Sequence, residues 1–463
     1  MRAQVNIEQL PISPQVLPSL SLNKIQIPLR SHFPTLLPRI KGESLAGRMW
    51  SVFVIIVGAI LDSSNAEFPV PEKDQEGTPT ARSRKPNCPQ SRVALQVDIK
   101  GLRLGNSTIQ NKLARQPIKN RAQNVVLFLG DGMGLSTVTA ARIFKGQSKY
   151  NHSGEESCLS WETFPHVSLS KTYGLDTQTS DSANTATAYL CGVKANAGTI
   201  GVDSRVKGEQ CHNDTSAYVS SIMQWAQEAG MWTGIVTTTE ITDASPAASY
   251  AHSGYRRWKY AVPKGCNASD IAKQLIRNSP GKGMRVILGG GRRAFLPSNE
   301  TDEEGRNGNR TDGLNLITEW KEMKHNLGAA YVWNRSELLA VDTNCTDYLL
   351  GLFDTYHLPY WVNRSQPNST KPNLTEMVTT AVNILTRAPK GFVLLVEGGR
   401  IDHGHHANRA KLALQETLEF DEAVNATARI LPANETLIVV TADHSHTMTM
   451  AGHPSRGTNI LGT

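Results

Sequence analysis

Short apolar runs recur along the chain, and three of them end in residues that can bind a metal. Residues 125–129 lead into Gly-Asp-Gly-Met-Gly, residues 392–396 into a stretch rich in acid and histidine, and residues 437–440 into Thr-Ala-Asp-His-Ser-His. A short unbroken apolar run is typical of a strand buried on both faces, as in a parallel sheet. Ligands of open α/β sheets bind beyond the carboxyl ends of the strands. The three strand ends therefore predict one polynuclear metal site.

Helical and extended patterns alternate between these runs. The pattern predicts further strands at 168–173, 232–238 and 286–291, and helices at 136–144, 182–190, 216–230, 269–278, 374–386 and 407–431. Residues 333–342 and 348–353 are predicted as one further α/β stretch. Strands that alternate with helices favour a parallel sheet with helices on both faces. The predicted fold class is therefore α/β, a three-layer sandwich around a large, mostly parallel central sheet.

The residues at the predicted strand ends divide into two kinds of metal ligand. If a helix begins near Arg400, Asp402 and His406 lie four residues apart on one face. Carboxylate and imidazole groups of this kind suit zinc. Oxygen groups alone suit magnesium. The candidate ligands are Asp131, Ser245, Glu397, Asp402, His406, Asp443 and His444.

Ser182 begins a predicted helix of small residues, where a serine is most often only an N-cap. The free N–H groups of such a helix end also attract phosphate, which makes Ser182 a candidate nucleophile. Arg256 and Arg257 follow a later strand and offer guanidinium groups to an anion, although a surface arginine pair is usually solvated. A serine beside two metals and an arginine has the groups that phosphoryl transfer through a covalent intermediate requires.

Composition narrows the class of protein. The chain has 463 residues, 39% of them hydrophobic, which allows one large α/β domain or two smaller ones and excludes a polytopic membrane protein. The formal net charge of the whole chain is +7. Six Lys and Arg residues and two acids lie within residues 1–48, so the rest of the chain is only weakly basic. No long basic run indicates a nucleic-acid surface.

The N-terminal region is typical of a secreted protein. Residues 50–61 are apolar, short for a membrane span and the length of a signal-peptide core, with Ser64-Asn65-Ala66 as a cleavage pattern. We therefore predict an extension at 1–48, a signal peptide at 49–66, with a signal anchor as the alternative, and a folded domain at 67–463. Thirteen Asn-x-Ser/Thr acceptors agree with secretion and glycosylation. Six cysteines without a CxxC pair favour one or two disulfides over a zinc–thiolate site, with Cys191 as a buried thiol.

Four separate motifs of the chain stand out: residues 128–134 (FLGDGMG), 181–188 (DSANTATA), 396–406 (VEGGRIDHGHH) and 441–446 (TADHSH). In these motifs, and from about Asn124 to its end, the chain resembles the animal alkaline phosphatases. The resemblance implies an alkaline-phosphatase-like fold for 67–463, phosphate monoester substrates and a homodimer. It also implies two zinc ions and one magnesium ion.

The resemblance assigns roles to single residues. Ser182 would be the phosphorylated nucleophile and a metal ligand, and Arg256 would hold the phosphate. Asp402 and His406 would bind the first zinc. Asp443, His444 and Asp131 would bind the second zinc, with Asp131 shared with magnesium, which Ser245 and Glu397 complete. Cys211 and Cys266 would form a disulfide.

The chain departs from the family pattern in three places. Asp243 stands where most animal members have His, as in bacterial members. The vertebrate calcium site is matched only at Glu304, Phe353 and Asp354, and Lys371 falls where an acid is expected. The sequence ends at Thr463, before the family's crown region, late strands, further zinc histidine and lipid-anchor signal. We therefore expect a weak first zinc site and poor activity. We also expect a secreted protein or one on the outer face of the plasma membrane, lipid-anchored only if the chain continues.

Two other functions compete with a phosphomonoesterase. A related phosphodiesterase or sulfatase is disfavoured, because those relatives tend to use a threonine or a modified cysteine where this chain has Ser182. A catalytically impaired, glycosylated binding protein is the second alternative, and the incomplete set of ligands for the first zinc motivates it.

Overall fold

The computed structural model of the protein describes residues 99–212 and 214–462. A seven-stranded sheet forms the centre of the fold. Every strand pair in it is parallel, and the spatial order is β4-β5-β3-β2-β6-β1-β7. The strands are β1 Asn124–Gly130, β2 Trp232–Glu240, β3 Val286–Gly290, β4 Ala329–Val332, β5 Tyr348–Leu352, β6 Phe392–Gly398 and β7 Thr436–Ala442. The predicted mostly parallel sheet is confirmed.

Helices lie between the strands along the chain. They are α1 Ile99–Leu113, α2 Leu135–Tyr150, α3 Ser182–Cys191, α4 Ile222–Glu228, α5 Ala244–Ala247, α6 Ile271–Arg277, α7 Leu316–Met323, α8 Arg335–Leu339, α9 Trp361–Arg364, α10 Leu374–Leu385, α11 Arg400–His406 and α12 Ala410–Ile430. Among the described residues, no helix is both long and apolar enough to span a membrane.

Side chains that alternate along each strand build a separate core on each face of the sheet. On β1, Leu129 packs into a core with Leu190 of α3, whereas Phe128 packs into the opposite core with Phe420 of α12. All four side chains are essentially inaccessible to water. Each such burial stabilises the fold by roughly 1.5–3 kcal/mol relative to exposure. Helices therefore cover both faces, which confirms the three-layer arrangement.

The register of the three central strands brings their chemical groups to one edge. β1 lies between β6 and β7, with Leu129 opposite Glu397 and Gly130 opposite Ala442. Because all three strands run in the same direction, the residues that follow them emerge side by side. Asp131, Glu397 and Asp443 are thus placed at the same end of the sheet.

Several predicted elements differ from the structure. The strand predicted at 168–173 is wrong: this segment pairs with no strand among the described residues, and Leu169 is 80% exposed. The helix predicted at 216–230 is shorter, because a 3₁₀ turn at Thr215–Ala217 precedes α4. The helix predicted at 407–431 is confirmed as α12, which begins at Ala410 because Asn408 adopts a left-handed conformation (φ 53°) just before it. The short strand β4 was not predicted.

The predicted extension at 1–48, the signal peptide at 49–66 and the first part of the predicted 67–463 domain lie outside the described residues.

Candidate active site

Ser182 is the first residue of α3, and local capping explains why the helix begins there. Asp181 is extended, and its carboxylate accepts hydrogen bonds from the amides of Ala183 and Asn184. The predicted start of this helix is confirmed. Because these amides already donate to Asp181, they are less available to a phosphate than the free N–H groups of an uncapped helix would be.

The hydroxyl of Ser182 faces two of the predicted metal ligands. Its Oγ lies 3.4 Å from Asp131 Oδ1, to which it donates a hydrogen bond, and 3.4 Å from His444 Nε2. Ser182 is buried, with 6% of its surface exposed. A nucleophile needs a basic or metal-binding group at this range, and Ser182 has two.

Asp131, Asp443 and His444 come together around one point. His444 Nε2 lies 3.1 Å from Asp443 Oδ2 and 3.6 Å from Asp131 Oδ1. The other ring nitrogen, Nδ1, is 3.0 Å from the carbonyl of Ser445, to which it can donate its proton. That tautomer leaves Nε2 unprotonated and directed at the two carboxylates, as a metal-binding histidine requires.

A second group forms on α11 and the loop after β7. Asp402 and His406 share one helix face as predicted, with 3.4 Å between Asp402 Oδ2 and His406 Nε2. His446 Nε2 lies 3.4 Å from the other oxygen, Asp402 Oδ1. Within the described residues this buried oxygen has no hydrogen-bond partner. The three side chains can hold one ion, and a buried carboxylate oxygen without a donor fits a cation.

Ser245 and Glu397 lie in the interior beside these groups. Glu397 accepts hydrogen bonds from Thr237 and from Thr239, the latter at 3.0 Å. Ser245 is 1% exposed, and its Oγ has no hydrogen-bond partner among the residues described. Oxygen groups of this kind are the ligands that magnesium prefers.

Without a cation, the buried acids of this site are unfavourably charged. Burial, followed by repulsion from Asp443, Asp402 and Glu397, raises the pKa of Asp131 well above its ordinary value. Burial likewise raises the pKa of Glu397 to about 7. Divalent cations would favour the ionised forms, since an opposite charge nearby lowers the pKa of a carboxyl group. The donor set and its electrostatics therefore fit bound metals.

Arg256 is held beside Ser182 by two carboxylates. Its Nη1 lies 3.1 Å from Asp181 Oδ2 and its Nη2 lies 3.3 Å from Asp243 Oδ1. Burial opposes ionisation of Asp243, but Lys259 and then Arg256 hold its pKa well below the ordinary value. Arg257, the other arginine of the predicted pair, is exposed to solvent.

Comparison with known proteins identifies this arrangement. The family described as "Alkaline phosphatase" matches residues 122–463. The chain belongs to the alkaline phosphatase family. The family resemblance and the enzyme class predicted from the motifs, a phosphoric monoester hydrolase, are confirmed.

Alkaline phosphatases from animals and bacteria are similar to this chain. It is 50% identical over 369 residues to the rat tissue-nonspecific isozyme, an alignment that covers 77% of this chain and 69% of that protein. It is 49% identical over 352 residues to the silkworm (Bombyx mori) membrane-bound alkaline phosphatase, covering 74% of this chain and 64% of that one. The crystal structure of the Thermus thermophilus alkaline phosphatase superposes with a TM-score of 0.58 at 28% identity, covering 73% of this chain and 63% of that chain.

The cysteines of this alkaline phosphatase chain follow the prediction. Cys211 and Cys266 form a disulfide, and Cys158 is also disulfide-bonded. Cys191 is a buried free thiol and Cys345 an exposed one. At least one disulfide was predicted, and the pair that the resemblance implied is present.

An ammonium group occupies the region of the partly matched calcium site. Lys371 Nζ contacts Glu304, donates to the Phe353 carbonyl at 2.7 Å and lies 3.4 Å from Asp354 Oδ2. These oxygens already have a positively charged partner, which opposes binding of a further cation there.

Four residues next to the site were not identified from the sequence. They are Asp181, which binds Arg256, His446, which approaches Asp402, and Lys259 and His357, which approach Asp243. Asp181 and His446 lie inside motifs that the sequence analysis used, so their positions carried a signal. Lys259 and His357 lie outside every motif, and no local pattern indicates that they meet Asp243.

Proposed function

We propose that this chain hydrolyses phosphate monoesters to an alcohol and phosphate, with Ser182 as the nucleophile that becomes phosphorylated. The observation that supports this most directly is the position of the Ser182 hydroxyl, 3.4 Å from both Asp131 and His444. A buried serine between a carboxylate and an imidazole that can share one metal is suited to nucleophilic attack.

Two zinc ions and one magnesium ion would be held by the residues already described. Asp402 and His406 would bind the first zinc, and Asp131, Asp443 and His444 the second, in contact with Ser182. Asp131, Ser245 and Glu397 would bind magnesium. When bound, the cations supply positive charge that favours the ionised serine and neutralises charge on the phosphate.

The protein's own groups then orient the reaction. Ser182 is fixed at the end of α3 by the Asp181 cap, and the same Asp181 carboxylate anchors Arg256. Each terminal nitrogen of Arg256 has a second N–H that its carboxylate partner does not accept, and these two donors can bind two oxygens of a phosphate. Because this grip is on the phosphate, we propose that a range of alcohols is accepted as the leaving group.

The surface and the relatives support an extracellular enzyme. Of the acceptors that the structure describes, eight are exposed: Asn106, Asn151, Asn267, Asn299, Asn344, Asn363, Asn368 and Asn434. We propose that the chain is glycosylated and is secreted or held on the outer face of the plasma membrane; the silkworm relative is described by its name as membrane-bound. We also propose a homodimer and no nucleic-acid partner.

One observation favours the alternative of an impaired enzyme or a binding protein. The His406 side chain is 69% exposed, whereas that of Asp402 beside it is only 8% exposed. A zinc bound through an exposed ligand exchanges with solvent more readily than one enclosed by protein. We therefore expect that the first zinc is the weaker of the two and that it limits turnover.

Hydrolysis of a chromogenic phosphate monoester at alkaline pH tests the proposal. The full, glycosylated chain is assayed with added zinc and magnesium and with a chelator. We expect chelator-sensitive turnover that Ser182→Ala lowers by roughly three orders of magnitude or more. Ser204→Ala, at an exposed serine, is the matched control and should leave turnover unchanged. A folded, metal-loaded protein without turnover would establish the binding-protein alternative.

A further inference from the structure

A chain of alternating charges lies behind Arg256. Asp243 contacts Arg256 on one side and Lys259 on the other, with Lys259 Nζ 3.3 Å from Asp243 Oδ2. Lys259 also contacts Glu240 at 2.8 Å, and Glu240 contacts Arg293 at 2.8 Å. The Glu240 side chain is 1% exposed and that of Lys259 is 15% exposed, so water screens these contacts little.

The same cluster looks at first like a further metal site. Asp243, His357 and His403 bring one ligand atom each to within 4.8 Å of the others. However, His357 Nδ1 accepts a hydrogen bond from the Glu240 amide, and His403 Nδ1 accepts one from Arg400. The backbone amide and the guanidinium can donate a hydrogen bond but cannot accept one, so Nδ1 of each ring must be the acceptor. Each neutral ring therefore carries its proton on Nε2 and lacks a free lone pair there. Lys259 and Arg293 add positive charge, and a metal cation is therefore disfavoured.

The two oxygens of Asp243 have different partners. Oδ1 faces Arg256 and accepts from the Ala244 amide at 2.8 Å. Oδ2 faces Lys259 and, at 3.6 Å, His357. Without Lys259, Arg256 would be the remaining cation in contact with this carboxylate among the described residues. Its positive charge would then be largely neutralised by Asp243 and Asp181.

We propose that Lys259 is a positioning residue for phosphate binding, which compensates the charge of Asp243 so that Arg256 keeps its own charge for the phosphate group. The proposal rests on the proposed function, since it assumes that Arg256 binds phosphate. Lys259 acts through Asp243 and Arg256, and it is well placed to do so because its ammonium group also donates a hydrogen bond to the buried Glu240.

The charged form of Lys259 is favoured in the folded protein. Burial alone lowers the pKa of its ammonium group, but Asp243 and then Glu240 more than offset this and raise the pKa above its ordinary value. The compensation of Asp243 is therefore present across the alkaline range in which the enzyme is expected to work.

Calorimetric titration of inorganic phosphate into the full chain, loaded with zinc and magnesium, tests the proposal without relying on turnover. We expect Lys259→Met to raise the phosphate Kd about tenfold, the size of effect typical of one charge-assisted contact. Lys259→Arg should restore the Kd to within about threefold of the original protein, because the charge is kept. Metal content is measured for each variant, since Asp243 caps the helix that carries Ser245.

A double-mutant cycle separates action through Asp243 from a general effect. In an Asp243→Asn background, Lys259→Met should change the phosphate Kd by less than about twofold, because no carboxylate is left to compensate. The same tenfold loss in that background would overturn the proposal. Arg257→Met is the matched control: it removes a neighbouring but exposed charge and should have little effect. A loss as large as that of Lys259→Met would also overturn the proposal.

Glu240→Gln provides a further test, because it removes the second acid that contacts Lys259 without taking the cation away from Asp243. It frees Lys259 for Asp243, so the phosphate Kd should stay equal or fall, and a clear rise would contradict the proposal. If the unmodified protein binds phosphate without hydrolysing the ester, the catalytic function is refuted. The phosphate Kd values of the variants then still decide whether Lys259 acts through Asp243. If that protein binds no phosphate, both the function and the role of Lys259 are rejected.

Discussion

Single carboxylates in this protein behave in opposite ways because of their neighbours. Glu397 is buried beside other acids, and burial raises its pKa to about 7. Asp243 is also buried, yet Lys259 and Arg256 keep its pKa well below the ordinary value. The acids around Glu397 thus lack positively charged partners, whereas the neighbouring Asp243 is already paired with the side chains of Lys259 and Arg256. The structure distinguishes the two, whereas each appears in the sequence only as an acid after a strand.

The two free cysteines lead to a prediction about thiol reactivity. Burial raises the pKa of Cys191 to about 12, and the thiolate is the reactive form. Cys345 is exposed. We therefore expect iodoacetamide to modify Cys345 in the native protein and Cys191 only after denaturation, as mapped by peptide mass spectrometry. Rapid native labelling of Cys191 would show that its surroundings open readily.

At the scale of elements, the long helix α12 supports α11, the helix that carries Asp402 and His406. Gly404 of α11 lies so close to α12 that an added Cβ would be 2.6 Å from the Ala413 backbone nitrogen. The same helix presents Glu416 and Glu419 to Arg364 of α9, and all three side chains are buried. The position of Asp402 and His406 thus depends on helix packing as well as on their own spacing.

Removing Arg364 should weaken this packing. Arg364→Met leaves Glu416 and Glu419 buried without their cation, and we expect a loss of about 3–5 kcal/mol in the free energy of unfolding. Arg335→Met provides the control, because Arg335 pairs with Glu376 at the surface, where a pair contributes about 1 kcal/mol or less. Urea unfolding of both variants measures the difference, and equal losses would contradict this account.

For the whole molecule, bound metals should determine how stability depends on pH. In the metal-free fold the pKa of Glu397 is about 7, above its ordinary value of 4.5. Protonated Glu397 is then favoured by folding, so its contribution is present below about pH 4.5 and is lost as the pH rises through about 7. Bound cations favour the ionised form and should remove this loss.

Thermal unfolding of metal-loaded and chelator-treated protein between pH 5 and 8 measures this dependence. We expect the difference in Tm to widen as the pH rises, with Glu397 contributing a few kcal/mol. Glu397→Gln has no charge to bury, so the metal-free variant should lose less stability over the same range. A constant difference in Tm across this range would contradict the electrostatic account of the site.

The sequence by itself determined the class of fold, three strand ends of the site and the start of α3, the helix that carries Ser182. Apolar runs and helical spacing report burial within one element, and β1, β6, α3 and the Asp402–His406 pair are each local patterns. Only the tertiary structure showed that 168–173 does not pair, that His446 approaches Asp402 and that Lys259 lies against Asp243. These features depend on contacts between segments that are distant in the sequence, and the periodicity of one segment does not indicate which other segment it contacts.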